Sequence, residues 1–476
     1  MKKIKFSILV SLLLMSASAF SLTGTGTAIN PYKIGTAQDL IDFKNAANYT
    51  ASFGELTANI DLTGYAWTPI GGFYGEFDGK NFKISNITLG SLSTPIVDNV
   101  YGALFVYIFG ATVKNVVLNN INIFYSAPNS SWCGILAGQV LINGAVKPLI
   151  DNCHITNSSI TVVSAPQAVC LGPICGYIAS GAIKNCSAKV TTDVTSENTT
   201  SMPYLIHNIG GLVGQMATDA TLKVVNSYSV GSITAKSTTN TYYFVGGAVG
   251  VLSAGSIENV YSSTSVTVGP SAGPMLVGGI VGNSTSNINN CIALNTLIKG
   301  YTGGPWLLVK RISGSNTVAT FTGPNYAAND LLYYAMQANT DGSPWVAPTG
   351  TTTNGDGLNL GSNTALSMLN GYVANNSGLG YKTWEVVTGV NNNNPVFVGQ
   401  SLTTATKTNQ YNNQLKAVSQ NSIIKVSGLK SGELVVVFNT VGSIVWKGVS
   451  TSTELELQLP KGIYGISGIN KLIINK

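Results

Sequence analysis

Charge is scarce in this 476-residue chain: Asp, Glu, Lys and Arg together make up 9% of it, and Arg311 is its only arginine. Histidine occurs twice, at His154 and His207, and no two aspartates are adjacent. These shortages exclude several classes of function. A nucleic-acid reader needs a basic stripe. The formal charge of +6 does not supply one, because Lys2, Lys3 and Lys5 crowd the N-terminus and seven lysines against three glutamates crowd residues 411–476. Between 20 and 410 there remain 15 basic and 16 acidic residues. The two histidines stand in no metal-ligand spacing, so no zinc site and no cofactor is expected. No apolar run after the first residues reaches the ~20 needed for a transmembrane helix.

At the N-terminus, the three lysines are followed by the apolar run Phe6–Met15 and by Ala17-Ser18-Ala19. That pattern predicts a secretory leader over residues 1–19, and with it an exported protein at the outer surface or outside the cell. The six cysteines then raise the question of disulfides. Cys153, Cys186 and Cys291 occupy equivalent places in a repeat, where in-register strands lie ~4.8 Å apart and stacked buried thiols are expected. Cys133, Cys170 and Cys175 are candidates for pairing of undefined connectivity.

What the chain has in abundance is glycine and asparagine in a recurring arrangement. An apolar residue, a variable one and an asparagine recur seven times, ending at Asn86, Asn115, Asn152, Asn185, Asn226, Asn259 and Asn290. The interval is 29 to 41 residues, and glycine-rich apolar segments such as Gly210–Gly214 and Gly278–Gly282 precede the later copies. A fixed-period repeat implies stacked supersecondary units. The middle residue varies and is expected to face water, while its neighbours alternate with the period of a strand. Asparagine tolerates left-handed backbone at a corner, and its amide can bond to its counterpart in the next coil. The paired glycines allow close coil-to-coil approach or positive φ at the opposite corner. The expected fold is all-β: a right-handed parallel β-helix followed by a small C-terminal antiparallel β-sandwich. An α-solenoid lacks the required helix formers, and a β-propeller needs four strands per unit, where two or three short ones are expected here and no Trp-Asp or Gly-His signature occurs.

Domain boundaries follow. The β-helix is assigned to 20–398, with a capping helix at 36–48 whose N-cap is Thr36 and whose apolar face is Leu40, Ile41 and Phe43. Its C-terminal cap, about 301–398, is irregular, with helical candidates near Ala328–Ala338 and Thr364–Leu369. Residues 399–417 form a linker, and evenly spaced short strands over 418–476 form the sandwich.

Two resemblances attach to these motifs. The segments Ile34–Leu40, Leu56–Leu62, Trp67–Gly71 and Gly75–Gly79 are similar to the start of Bacteroidetes β-helical surface proteins. The Gly-Gly-Leu-Val-Gly units resemble the GLUG repeat of adhesin-like and peptidase-associated bacterial proteins. The C-terminus, through Gly442, Gly462 and Tyr464, resembles the sorting domain of the type IX secretion system, although Ser443 stands where that domain usually carries a basic residue. These resemblances imply a cell-surface, adhesin-like protein that engages the export machinery through its C-terminal domain.

For activity, pectin-degrading β-helix enzymes resemble one another in paired aspartates with a histidine and an arginine, a set this chain lacks. Asp61, Glu76 and Asp78 are candidates to converge on the first coils, yet their motifs read as turns and structural positions. His154 is expected to face solvent or edge the core. Asn354–Asn359 faintly resembles a calcium loop without its bidentate glutamate and reads as a turn. Tyr301, Trp306, Tyr333, Tyr334 and Trp345 gather where the repeat dissolves and are the candidate ligand contacts, or else they fill the C-terminal cap. The expected function is therefore non-catalytic binding of a glycan or of a host or bacterial surface protein. A β-helical polysaccharide lyase or glycoside hydrolase and a purely structural envelope component are the alternatives.

Overall fold

The computed structural model describes residues 22–127, 129–196, 205–237, 241–269, 271, 273–302, 307–315, 321–337 and 355–400. In the C-terminal part it describes 416–420, 423–427, 434–439, 444–449, 452–466 and 473–475. Two compact units divide at Gln400/Ser401.

The first unit is a parallel β-solenoid. Each coil carries four short strand positions rather than the expected two or three, because the asparagine triplet forms a short strand of its own, and equivalent strands of successive coils pair in parallel. One ladder is a seven-stranded sheet that runs from Val100–Gly102 through Ser131–Gly134 and Thr241–Gly246 to Leu307–Lys310. After the glycine corner a second ladder includes Phe105–Phe109, Ala137–Leu141 and Cys175–Ile178. A third ends in the asparagine triplets and includes Thr112–Lys114, Leu149–Asp151 and Ala182–Lys184. The fourth holds the long strands, among them Val117–Ser126, His154–Ser164 and Ser187–Ser196.

The triplet explains itself once the ladders are in register. Its first residue points inward: Ile84, Val113, Ile150, Ile183, Val224, Ile257 and Ile288 are all fully buried. Each such side chain contributes about 1.5–3 kcal/mol by leaving water. The asparagine turns the corner with φ between 47° and 66° at all seven positions. At the opposite corner Gly210, Gly246 and Gly278 are absent from the positive-φ residues. An added Cβ there would collide with backbone carbonyls of the same and the next coil, as Gly210 shows against Val213 and Ala248. Close approach, not left-handed geometry, therefore demands these glycines.

At the N-terminal end α1 (Ala37–Ala47) is capped by Thr36, whose hydroxyl accepts from the Asp39 N–H while Asp39 answers the Thr36 N–H. Its Leu40 and Phe43 are fully buried, and Phe43 packs against Phe73 and Phe77 at 6.3 and 5.5 Å. At the other end the expected helix at 328–338 is instead the strand Leu332–Gln337, paired in parallel with Leu297–Thr302. A waiting strand edge overrides local helix propensity there. All six cysteines are free and buried, so the candidate pairing among Cys133, Cys170 and Cys175 is not formed.

The second unit contains two antiparallel sheets. One holds Lys416–Gln420, Ile423–Ser427 and Glu454–Gln458; the other holds Ile444–Val449, Leu434–Asn439, Gly462–Ile466 and Ile473–Asn475. Ile424, Val426, Val435, Val437, Leu457 and Tyr464 form their core. Its first strand begins at Lys416, inside the span read as linker.

Candidate functional site

The asparagine amides form three ladders, each ending on an aspartate. Asn120 donates to Asn86 at 2.7 Å, and Asn86 donates to Asp61 at 2.8 Å. Asn152 donates to Asn115 and Asn115 to Asp78, at 2.8 and 2.9 Å. The third ladder runs Asn290, Asn259, Asn226, Asn185 and ends on Asp151, with each step 2.7 or 2.8 Å. Every amide points its NH₂ toward the N-terminal coils, so the aligned dipoles present their positive end to a carboxylate. This is the electrostatics of an acid at a helix N-terminus, built from side chains.

The third ladder has a second set of partners. After α2 (Ala365–Asn375) the chain runs back along the flank of the solenoid as a strap, residues 379–400. Asn185 donates to the Gly380 carbonyl at 3.0 Å and accepts from the Lys382 N–H at 2.9 Å. Asn226 donates to the Lys382 carbonyl and accepts from the Trp384 indole, at 3.0 and 2.9 Å. Trp384 and Phe397 lie 4.2 Å apart and pack on Tyr228 and Tyr261, which are themselves stacked at 5.0 Å. Gln400 donates to Ser187 and accepts from Tyr228, both at 3.0 Å. The expected C-terminal cap is thus in large part a lateral cover.

Beside the strap lies a groove of about 870 Å³. Its floor is one outward column of the long strands, Lys189, Val230, Ser263, Leu294 and Ala328, which adjacent registers set side by side. Thr296, Asp330 and Leu332 form one margin, and the strap supplies the other through Gly389, Asn391, Asn392 and Asn394. Five coils at ~4.8 Å spacing make the floor ~19 Å long. The Ser263 hydroxyl is enclosed without a protein partner. Asn391 is fixed by its amide, which donates to the Tyr261 hydroxyl at 2.6 Å.

The carboxylates considered for catalysis are committed elsewhere. Glu76 and Asp78 do converge, together with Glu55, but lysines alternate between them. Lys33 pairs with Glu55, and Lys80 bridges Glu55 and Asp78 at 3.3 Å each. Lys114 pairs with Glu76 at 2.7 Å. Asp61 is apart from them, bonded to Thr63 and Asn86. The Lys33 hydrogen bond holds Glu55 below its ordinary range. Burial pushes Asp78 up, but bonds from Asn115 and from Lys80 outweigh it, so its net shift is downward. A general acid needs the opposite shift. The triplet's middle residue is therefore no idle position. In register it reads Lys114, Asp151, Lys184, Val225, Glu258, with Lys184–Asp151 closed at 3.3 Å.

His154 is buried rather than solvent-facing. Its ring nitrogens meet Ser187 Oγ and Asn152 Oδ1 at 2.9 Å, and Phe397 covers it. Acceptance by Asn152 places the proton on Nε2 and leaves Nδ1 to accept from Ser187. The series resembles a nucleophile with its base, but burial lowers the imidazole to about 3 and the strap leaves no room for a substrate. His207, fully buried, is likewise held at about 3 by burial.

Among the expected aromatic contacts, Tyr333 is buried in the core and Tyr301 is half-buried. Trp306 and Trp345 lie outside the described residues, as does the side chain of Tyr334. The glycine loop expected to be a turn closes the last coil: Gly355 accepts from Ile312 and Ser313, and Arg311 donates to Gly357 and Asn359. Among the sorting-domain positions, Tyr464 bonds to the Pro460 carbonyl at 2.8 Å, Gly462 opens a strand, and Gly442 lies outside the described residues. The groove, by contrast, was not anticipated, since its outward residues share no type or spacing beyond the repeat itself.

No family model matches the sequence, and no curated protein matches it. Among solved structures the chain is similar to one described as a "putative immunoglobulin A1 protease" from Bacteroides ovatus. The TM-score is 0.47 at 18% identity, over 79% of this chain and 94% of that one. A second, described as IgA1 protease, gives a TM-score of 0.42 at 17% identity, over 67% of this chain and 23% of that one. At this distance neither likeness bears on chemistry.

Proposed function

We propose that this protein is an exported, non-catalytic β-solenoid that binds an uncharged glycan along the groove walled by its strap. The lining of that groove carries the reading. Ser263, Ser265, Thr296, Asn391, Asn392 and Asn394 offer hydroxyls and amides, while Val230, Leu294 and Ala328 form an aliphatic strip. Polar groups along the edges and an aliphatic strip in a floor that also carries Lys189 and Ser263 suit a polyhydroxylated chain with C–H faces. Glycoside hydrolysis calls for two cooperating carboxylates, and Asp330 is the single acid in the lining.

Delivery to an outer surface is supported by the leader pattern at 1–19 and by the C-terminal likeness to a type IX sorting domain. The adhesin-like role is supported by the resemblance to GLUG-repeat surface proteins of Bacteroidetes. A glycan array combined with a reducing-sugar assay on the purified protein tests the binding claim. Binding without product, weakened by Ser263→Trp in the floor, is the expected result. Release of sugar from any polysaccharide overturns it, and an empty array favours a purely structural envelope role. Deleting 418–476 is expected to abolish surface display while leaving the solenoid folded by circular dichroism.

A further inference from the structure

The strap doubles back on itself through a run of three left-handed residues. Trp384–Glu385 pairs antiparallel with Val396–Phe397, and the chain between them reverses over Val387–Asn394. Within that reversal Asn391, Asn392 and Asn393 all have positive φ, at 51°, 55° and 61°. Asparagine visits this region readily as a single residue, as at every ladder corner, but a left-handed run is disfavoured for L-residues. The turn is closed by Asn393 N–H to Val390 O at 2.9 Å and Asn394 N–H to Asn391 O at 3.0 Å. Its side-chain anchors are two, the Asn391 amide on the Tyr261 hydroxyl at 2.6 Å and the Gly389 N–H on Asn393 Oδ1 at 2.9 Å, and little else covers it. Asn392 and Asn393 are exposed, as are Val386 and Val387, at 45% and 39%.

The segment that follows is firmly seated by comparison. Phe397 is fully buried among Trp384, Tyr228 and His154, and the Pro395 carbonyl accepts from Tyr261. Gln400 is bound to Ser187 and Tyr228. None of these contacts depends on which chain supplies the segment. A strained, exposed reversal next to a well-docked element is the arrangement that favours exchange between copies.

We propose that two copies of this chain exchange the segment from Pro395 onward, each seating it on the other's Ser187–Tyr228–Tyr261 face, with Asn391–Asn393 opening as the hinge. The occupant of that face is then a second copy's own Pro395–Gln400. The Trp384–Phe397 pairing becomes intermolecular, the left-handed turn is released, and each C-terminal unit follows its linker. The product is a dimer with two grooves, which multiplies avidity for a repeating ligand without any new contact to it.

The test uses the full-length protein and light scattering behind size-exclusion chromatography. Wild-type protein held at high concentration is expected to form a dimer that persists for hours after dilution, because the strap must undock before it can return. Copies carrying two different affinity tags are expected to co-purify only after such treatment. Glycine adopts left-handed geometry without steric penalty, so the double variant Asn392→Gly, Asn393→Gly, which keeps the Asn391 anchor on Tyr261, is expected to lower the dimer fraction about tenfold at equal concentration. Deleting 391–393 makes the reversal too short and is expected to yield dimer alone, with Trp384 fluorescence as blue-shifted as in wild type. Equal dimerisation of the glycine variant and wild type overturns the proposal. So does a folded deletion variant that stays monomeric, and if the deletion variant fails to fold, the glycine comparison decides.

Discussion

Two stretches of the same corner column are built alike and finished differently. Around Asn115 the corner is half-buried and its surroundings are ionic, with Lys33, Glu55, Lys80, Asp78, Lys114 and Glu76 alternating in sign. Around Asn185, Asn226 and Asn259 the corners are fully covered, and their amides bond sideways, the first two to the strap and Asn259 to Leu369 of α2. A solenoid flank can thus be satisfied by water and mobile charge or by a second layer of chain. The second solution costs more to disturb, because buried polar groups cannot fall back on solvent.

The widest gap between the two is expected at the asparagines themselves. Asn226→Ala strands its partners in Asn185, Asn259, Lys382 and Trp384 and puts Cβ-bearing alanine into left-handed geometry. A loss of about 4 kcal/mol or more is expected in urea unfolding. Asn115→Ala, half-open to water, is expected to cost about 1–2 kcal/mol. Equal losses would erase the distinction.

Trp384→Ala removes the strap's central ring and is expected to cost about 3 kcal/mol. The loss should be local: limited proteolysis should cut within 379–400 while circular dichroism of the coils is unchanged. Global unfolding instead would mean that strap and coils are one cooperative unit.

Acid should separate the flanks. His154 and His207 are held at about 3 by burial, against about 6.5 unfolded, so the folded chain keeps them neutral while the unfolded chain takes up protons below pH 6.5. Their contribution is complete above that pH and is lost as pH falls toward 3, about 2 kcal/mol per histidine by pH 5. Glu55 and Asp78 are also shifted downward, but for a carboxylate that preserves the charge, so they remain charged between pH 7 and 5. Urea midpoints at pH 7 and 5 check this, and His207→Gln is expected to remove about half of the difference.

The smallest effect is expected on the ionic flank. Lys114→Met breaks contacts to Glu76 and Asp78 at 2.7 and 3.8 Å. It is expected to cost under about 1 kcal/mol, and less in high salt.

How far each flank could be read in advance follows the same division. Period, inward Ile or Val and left-handed asparagine are local properties, and they announced the coils from Asn86 to Asn290. The aspartates that end each amide ladder were not legible. Asp151 occupies a position that varies along the chain, and only the register beneath Asn185 gives it a task. The strap was hidden for a different reason. Its partners on the coils lie more than 120 residues away, as Tyr261 and Trp384 or Asn226 and Trp384 do, and its sequence repeats nothing. The groove inherits both difficulties, since one margin is strap and its floor is chosen by register.

Gln400 is held beside Ser187 and Tyr228, and Tyr228 precedes the last coil strand, Leu358–Asn359, by four steps in register. The chain therefore leaves the solenoid from its side, ~19 Å short of the end. Tension arriving from beyond Gln400 meets the strap before any coil. Its attachments to the flank are loaded one after another, like a zip opened from one end, before the ladders between the coils. That order of loading is the arrangement of a mechanical fuse.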